Sequence, residues 1–345
     1  MVGMAGYPGG RLPMQGGLPP VAPVAGPLVE IACDESGFSG TNLLDPATPV
    51  ISHASVDLRD GEATELIAAL RSGSRFSPDE FKSRQFLRRP EAGAVLGRFL
   101  AALRGRAHVH LVDKEFFLVT RIVDLLLHEP SYAAGTRLTR EHRPAALAVH
   151  RAGRHAGADW TGFLAAFVAM LRTNRRPRPD RPAVERFFQA RDALLRHGPA
   201  PSAATVLRAL DPARVEVVLA RLAADDRSIP PPLEPLLPAL AETVLHWSRA
   251  ERPVLVIHDE QSALTADRLR RLQQALAAAP PGAPAGRSPL VGLVMADSRD
   301  DPRVQVADLL AGIARRMPGI VDDDLLRPLL SPTSLRDPLG AGRPV

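Results

Sequence analysis

The pattern of apolar and polar positions along the chain predicts a mixed α/β fold. Short apolar runs bounded by turn residues are typical of buried strands, and five such runs occur at 27–36, 49–58, 107–117, 252–260 and 289–298. Apolar residues at helical spacing predict helices at 60–73, 90–105, 265–279 and 300–316. In the last of these, Asp301 is the expected N-cap and Pro302 suits the first turn.

The middle of the chain has a different pattern. Six helix-like segments, separated by prolines and arginines, follow one another between residues 119 and 250. We therefore expect one α/β core, 28–118 and 251–317, interrupted by a helical insertion at 119–250. Residues 1–27 are rich in Gly and Pro, which predicts a disordered tail, and we expect 318–345 to be a loose C-terminal tail.

Composition narrows the class of protein. With 45% hydrophobic and 23% charged residues the chain is typical of a soluble globular protein. Its single cysteine, Cys33, excludes an internal disulfide or a cysteine-rich zinc site. We find no apolar run of about 18 residues that could span a membrane and no signal-peptide pattern, so we expect a cytoplasmic protein without membrane contact.

The basic charge permits an anionic partner without requiring one. Formal net charge is +5, supplied almost entirely by arginine. The arginine-rich stretch 172–182 could contact the backbone of a nucleic acid, DNA or RNA; the alternative is a solvated linker.

Carboxylates recur where the predicted strands end. Any one of them could be an ordinary loop acid, but sites in open α/β sheets form outside the strand ends, and a divalent cation relieves the repulsion between acids that meet there. Ligand sets made only of oxygen suit Mg²⁺ or Mn²⁺ rather than zinc. The acids in question are Asp34 with Glu35, Asp113, Asp259 with Glu260, and Asp297.

Asp308 adds a carboxylate on the final helix. Small and apolar residues share its face, which favours a position against the sheet; the alternative is a half-buried acid paired with an arginine such as Arg315. Lys114 follows Asp113 directly and could contact a phosphate, although a chance surface lysine explains it equally well. Structural or surface roles are favoured for all ten histidines.

Four motifs resemble the domain-of-unknown-function family numbered 3800, a divergent member of the ribonuclease H-like superfamily. They are "IACDESG", "LVDK", "LVIHDE" and "DSRDDPRVQVADLLAG", and they span about 28–118 and 251–317. The most specific positions lie in the last motif: Ser298, Gln305, Ala307, Asp308, Leu309 and Leu310.

This resemblance implies a ribonuclease H-like mixed sheet, flanked by helices, with the first strand central. It also implies a metal-dependent nuclease-like activity in which Asp34 bridges two ions about 3.5–4 Å apart while Asp259 and Asp308 each hold one ion. Asp113 and Lys114 match the middle motif, with less defined roles.

A glutamate on the first helix often completes such sites, and none can be assigned here. Glu62 and Glu65 are candidates on that helix, and Glu35 could substitute for them. Two alternatives to a nuclease remain open: a non-catalytic binding or regulatory module with the same fold, and a phosphatase or nucleotide hydrolase that uses the same acids.

Overall fold

The computed structural model describes residues 14–20, 27–38, 40, 42–72, 92–130, 141–172, 181–249, 252–278, 286–316 and 323–338. Within these residues five strands form one sheet, and each strand lies inside an apolar run of the sequence. They are β1 (Val29–Ser36), β2 (Val50–Val56), β3 (Ala107–Asp113), β4 (Val254–Asp259) and β5 (Leu290–Ala296).

The sheet is mixed, and its central strand is the first in the chain. The strand order is β3-β2-β1-β4-β5. β1 pairs antiparallel with β2 and parallel with β4, while β2 and β3 are antiparallel and β4 and β5 are parallel. The carboxyl ends of β1, β4 and β5 therefore lie at the same edge of the sheet.

Helices cover both faces of this sheet, so the predicted α/β class and the mixed sheet flanked by helices are confirmed. In chain order they are α1 (Asp60–Ser72), α2 (Ala92–Ala102), α3 (Lys114–Leu127), α4 (Arg143–Gly153), α5 (Ala158–Arg172), α6 (Arg181–Arg196), α7 (Pro201–Arg208), α8 (Pro212–Ala223), α9 (Leu236–Ser248), α10 (Ala266–Ala277), α11 (Pro302–Arg316) and the short α12 (Asp323–Leu326). None of these described helices is both long and apolar enough to cross a membrane.

Each face of the sheet has its own apolar core. Helices α1, α2 and α11 pack on one face, which we call the α11 face and which includes Ala32 and Ile257. The other face, which we call the α9 face, includes Ile31 and Val256 and forms one continuous core with helices α3 to α10. The helices between β3 and β4 thus share their core with the sheet, as expected for an insertion that folds together with its host.

The third strand is shorter than its apolar run. Residues 114–117 belong to α3 and not to a strand, because the carboxylate of Asp113 accepts a hydrogen bond from the backbone N–H of Phe116 at 2.9 Å and caps the helix. An N-cap aspartate directly after the strand leaves no loop between β3 and α3.

Parts of both predicted tails are ordered against the sheet, which corrects the sequence-based expectation. Leu18 exchanges two backbone hydrogen bonds with Leu293 of β5, at 2.7 and 2.8 Å. At the opposite edge, Leu330 and Leu335 form bridges to Val109 and Val112 of β3. Each segment supplies backbone hydrogen-bond partners to a different edge strand. The proline and glycine content of the segments does not reveal this interaction.

Candidate functional site

The two central parallel strands end in aspartates that lie side by side. The register of β1 and β4 pairs Cys33 with His258, so Asp34 and Asp259 are the next residues along the two strands. Side chains alternate along a strand, and Asp34 therefore shares the α11 face with Ala32, as Asp259 does with Ile257.

Helix α11 brings the third acid to the same place. The hydroxyl of Ser52 on β2 donates to the carbonyl oxygen of Ala311 at 2.6 Å, and Arg315 Nε donates to Ser36 Oγ at the end of β1 at 2.9 Å. These contacts fix the helix over β1 and β2, with Asp308 half-buried one turn before Ala311.

Electrostatics show that these acids interact. Asp34 is only 6% exposed, and burial is the largest cause of a pKa well above its usual value. The charges of neighbouring carboxylates raise this pKa further: those of Glu35, Asp308 and Asp259. Burial also raises the pKa of Asp259. Asp259 and Asp308 therefore lie close enough for their charges to act on Asp34.

Backbone N–H groups orient two of the three carboxylates. The N–H of Glu35 donates to Asp34 Oδ1 at 2.7 Å, and the N–H of Ser298 donates to Asp259 Oδ1 at 3.2 Å. Ser298 belongs to the last of the four sequence motifs, but its backbone role could not be found from sequence because every residue type except proline carries an N–H group.

Glu35 belongs to the opposite face of the sheet. Its Oε1 accepts a hydrogen bond from Gln261 Nε2, and its Oε2 lies 3.9 Å from Nε2 of the buried His258. Glu35 thus influences Asp34 through its charge but does not share the α11 face with it. Sequence reasoning missed Gln261, which carries no motif and is brought to Glu35 only by the pairing of β1 with β4.

Asp113 and Lys114 have structural contacts away from the three acids. Asp113 pairs with the first residue of β2, Val50, and its side chain caps α3. Lys114 is 1% exposed, and its Nζ donates to Thr48 Oγ1 at 3.0 Å in the connection between β1 and β2. These contacts explain both residues as structural elements, and the burial of Lys114 contradicts the interpretation of it as a chance surface lysine.

No first-helix glutamate completes the cluster. Glu62 forms an ion pair with Arg106 at 3.0 Å, which together with its other hydrogen bonds lowers its pKa, and Glu65 is exposed on α1. Asp297 accepts the backbone N–H of Arg299 at 2.8 Å in the turn that precedes α11.

The acids are not at metal-coordinating distances as they stand. Within the described part of the chain, no group of three or more His, Cys, Asp or Glu side chains is placed so that it could hold a metal ion without movement. The chemistry of Asp34, Asp259 and Asp308 nevertheless suits a hard divalent cation, because all donors are carboxylate oxygens and burial penalises their unneutralised charge. Most of the arginine-rich stretch 172–182 lies outside the described residues.

Comparisons with known proteins add no assignment. The chain matches no protein-family model, and no curated protein or solved structure is significantly similar to it. The function must therefore be argued from the residues of this sheet edge.

Proposed function

We propose that this protein is a metal-dependent, nuclease-like hydrolase of ribonuclease H-like architecture that acts on phosphodiester bonds of nucleic acid. The observation that carries the proposal is the burial of Asp34 within reach of the charges of Asp259 and Asp308. Buried carboxylates that raise each other's pKa are costly to the fold, and such arrangements cluster at functional sites.

The fold supports this proposal. A mixed sheet with β1 central, β4 parallel beside it and a helix packed across them is the arrangement that the sequence resemblance implies. It places two acids on adjacent strands and the third on the helix that covers them, which is where a nuclease of this kind holds its cations.

The chain's own residues would hold and orient the ions. Asp34, Asp259 and Asp308 would supply the carboxylate ligands, and the N–H groups of Glu35 and Ser298 keep two of these carboxylates oriented. A bound Mg²⁺ or Mn²⁺ supplies Lewis-acid activation of water and neutralises charge on the phosphate. Asp259 and Asp308 are half-buried, so part of each side chain is accessible to solvent.

The test is Mn²⁺ binding by calorimetry, followed by cleavage assays on labelled single-stranded RNA, single-stranded DNA and duplexes. We expect wild-type protein to bind Mn²⁺ at micromolar concentrations and to cleave one of these substrates. Asp34→Asn should lose Mn²⁺ binding and at least about 100-fold of the cleavage rate. Glu65→Gln, which removes an exposed carboxylate on α1, is the matched control and should behave as wild type.

Other outcomes identify the alternatives. Folded wild-type protein that neither binds Mn²⁺ nor cleaves any substrate would contradict the proposal and favour a non-catalytic module. Hydrolysis of phosphomonoesters or nucleotides without cleavage of polynucleotides, again lost in Asp34→Asn, would instead identify a phosphatase-type enzyme built on the same acids.

A further inference from the structure

Three polar side chains from adjacent strands converge inside the core of the α9 face. His53 on β2 and His258 on β4 are both 0% exposed, and their Nε2 atoms lie 3.2 Å apart. Glu35 on β1 places its Oε2 3.9 Å from His258 Nε2. This cluster lies on the opposite side of the sheet from Asp34, and it was not predicted from the sequence.

In each of the three side chains, the polar atom that faces away from the cluster has its own hydrogen-bond partner. His258 Nδ1 lies 2.9 Å from the carbonyl oxygen of Asp259, and His53 Nδ1 lies 3.1 Å from Thr243 Oγ1 on α9. Glu35 Oε1 accepts from Gln261. Because a carbonyl can only accept, His258 Nδ1 carries a proton, and the Nε2 lone pair of a neutral His258 accepts the hydrogen bond from His53 Nε2. A metal ion at the centre of the cluster would take the place of the proton that these two nitrogens share.

Glu35 Oε2 is the atom without a partner. It is buried, and it is one of the side-chain oxygens of the described residues that lack a hydrogen bond. Leaving a buried carboxylate oxygen unpaired costs free energy, so the cluster holds an acceptor with capacity to bind a cation. Burial also lowers the pKa of His53, which keeps its imidazole neutral, the form that binds metals.

We propose that His53, His258 and Glu35 form a second metal site, selective for zinc-like divalent transition ions and distinct from the carboxylate cluster around Asp34. Two imidazoles and one carboxylate are a ligand set found in zinc proteins. The hydrogen bonds made by the atoms that face away from the cluster are of the kind that orients metal ligands. This inference does not depend on the proposed nuclease function.

The distances between the ligand atoms fit a metal site after a small movement of the Glu35 side chain. Zn–N bonds of about 2.0–2.1 Å at a tetrahedral angle place two nitrogens about 3.3–3.4 Å apart, close to the 3.2 Å between His53 and His258. Glu35 Oε2 is about 0.5 Å too far from His258 Nε2 for the same geometry, so a rotation of its carboxylate must accompany binding. As they stand, the three side chains do not form a group that could hold a metal ion.

The experiment titrates Co²⁺ and then Zn²⁺ into untagged, chelator-treated protein and records the visible absorption of bound cobalt. We expect a strong absorption band of tetrahedral cobalt that saturates at one Co²⁺ per chain and is displaced by Zn²⁺, and a melting temperature that rises with zinc. Cobalt held by the carboxylates around Asp34 would be octahedral and would not contribute to this band. Glu35→Gln should weaken Co²⁺ binding at least 10-fold while keeping the fold, since it removes only a buried charge. His53→Gln removes a different ligand and so tests the site independently.

Two control variants distinguish this site from metal binding elsewhere in the protein. Asp34→Asn should keep the full tetrahedral cobalt band, because its carboxylate lies on the other face. His142→Gln should also keep it, since His142 stacks on His128 with ring centroids 3.5 Å apart in a different part of the structure. Folded wild-type protein that binds neither ion would overturn the proposal. So would a tetrahedral cobalt band that is lost in Asp34→Asn and retained in Glu35→Gln, which would place that ion among the carboxylates.

Discussion

Asp34 and Glu35 are adjacent in the sequence but project to opposite faces of the sheet. One residue of a strand is enough to exchange faces, so Asp34 meets Asp259 and Asp308 while Glu35 meets His258 and Gln261. A pair of neighbouring acids that looks like one site in the sequence is therefore divided between two chemical environments.

Glu234 gives a prediction at the residue scale. Its side chain is 10% exposed, and burial raises its pKa to about 7, against about 4.3 for an unfolded glutamate. A raised carboxyl pKa means that ionisation destabilises the fold. The cost is absent below pH 4, grows between pH 4 and 7, and is complete above pH 7.

We therefore expect Glu234→Gln to stabilise the metal-free protein at pH 8 by about 3 kcal/mol and to have little effect at pH 4. Urea unfolding at both pH values, in the presence of chelator, measures the difference. Glu65→Gln serves as an exposed control and should change stability by less than about 0.5 kcal/mol at either pH. A gain from Glu234→Gln that does not vary with pH would contradict the assigned pKa.

At the scale of elements, the position of Asp308 depends on how closely α11 approaches the end of β1. Gly37 follows β1 with φ of +88°, and a Cβ there would lie 2.5 Å from both Arg315 Cδ and the carbonyl oxygen of Val50. Only glycine accommodates this backbone conformation and this approach together.

Gly37→Ala should therefore lower the free energy of unfolding by about 2–4 kcal/mol, the sum of an unfavourable φ and an overpacked contact. Gly40→Ala is the matched control, because Gly40 also has a positive φ, +64°, but a Cβ there meets nothing within 4 Å. We expect that variant to lose only about 1 kcal/mol. Denaturant unfolding of both proteins checks the difference, and equal losses would show that the contact with α11 is unimportant.

At the scale of the whole molecule, segments from the two ends of the chain protect the two edges of the sheet. Leu18 covers β5, while Ser331 and Leu335 donate backbone hydrogen bonds to Val109 and Leu111 of β3 at 2.7 and 2.8 Å. An uncovered edge strand presents unpaired N–H and C=O groups and promotes association between chains. The terminal segments thus belong to the folded unit.

Removal of residues 323–345 should lower the melting temperature by about 10 °C or more and cause aggregation. It deletes the backbone hydrogen-bond partners of β3. It also deletes three buried leucines, Leu326, Leu329 and Leu335, and the burial of each contributes about 1.5–3 kcal/mol to the free energy of unfolding. Removal of residues 339–345 is the control, because it deletes none of the described contacts. Thermal melting and light scattering distinguish the two proteins, and similar behaviour would show that the C-terminal segment is dispensable.

The sequence by itself determined the types of the elements that carry the three acids and the position of Asp308 on the side of its helix that faces the sheet. Periods of two and 3.6 residues are local properties of the chain, so the strand around Asp34, the strand around Asp259 and the helix around Asp308 follow from spacing alone. That these three elements adjoin was implied by the family resemblance and not by spacing, because strand order and direction are not local properties of the chain.

Only the tertiary structure decided what the remaining polar residues contact. The pairing of β1 with both β2 and β4 joins His53, Glu35 and His258 across a separation of more than 200 residues. Such contacts depend on strand order and register, which no local pattern encodes. The same reason explains the terminal segments: their composition predicts loose chain, but the unpaired edges of β3 and β5 give their backbones partners that only the assembled sheet provides.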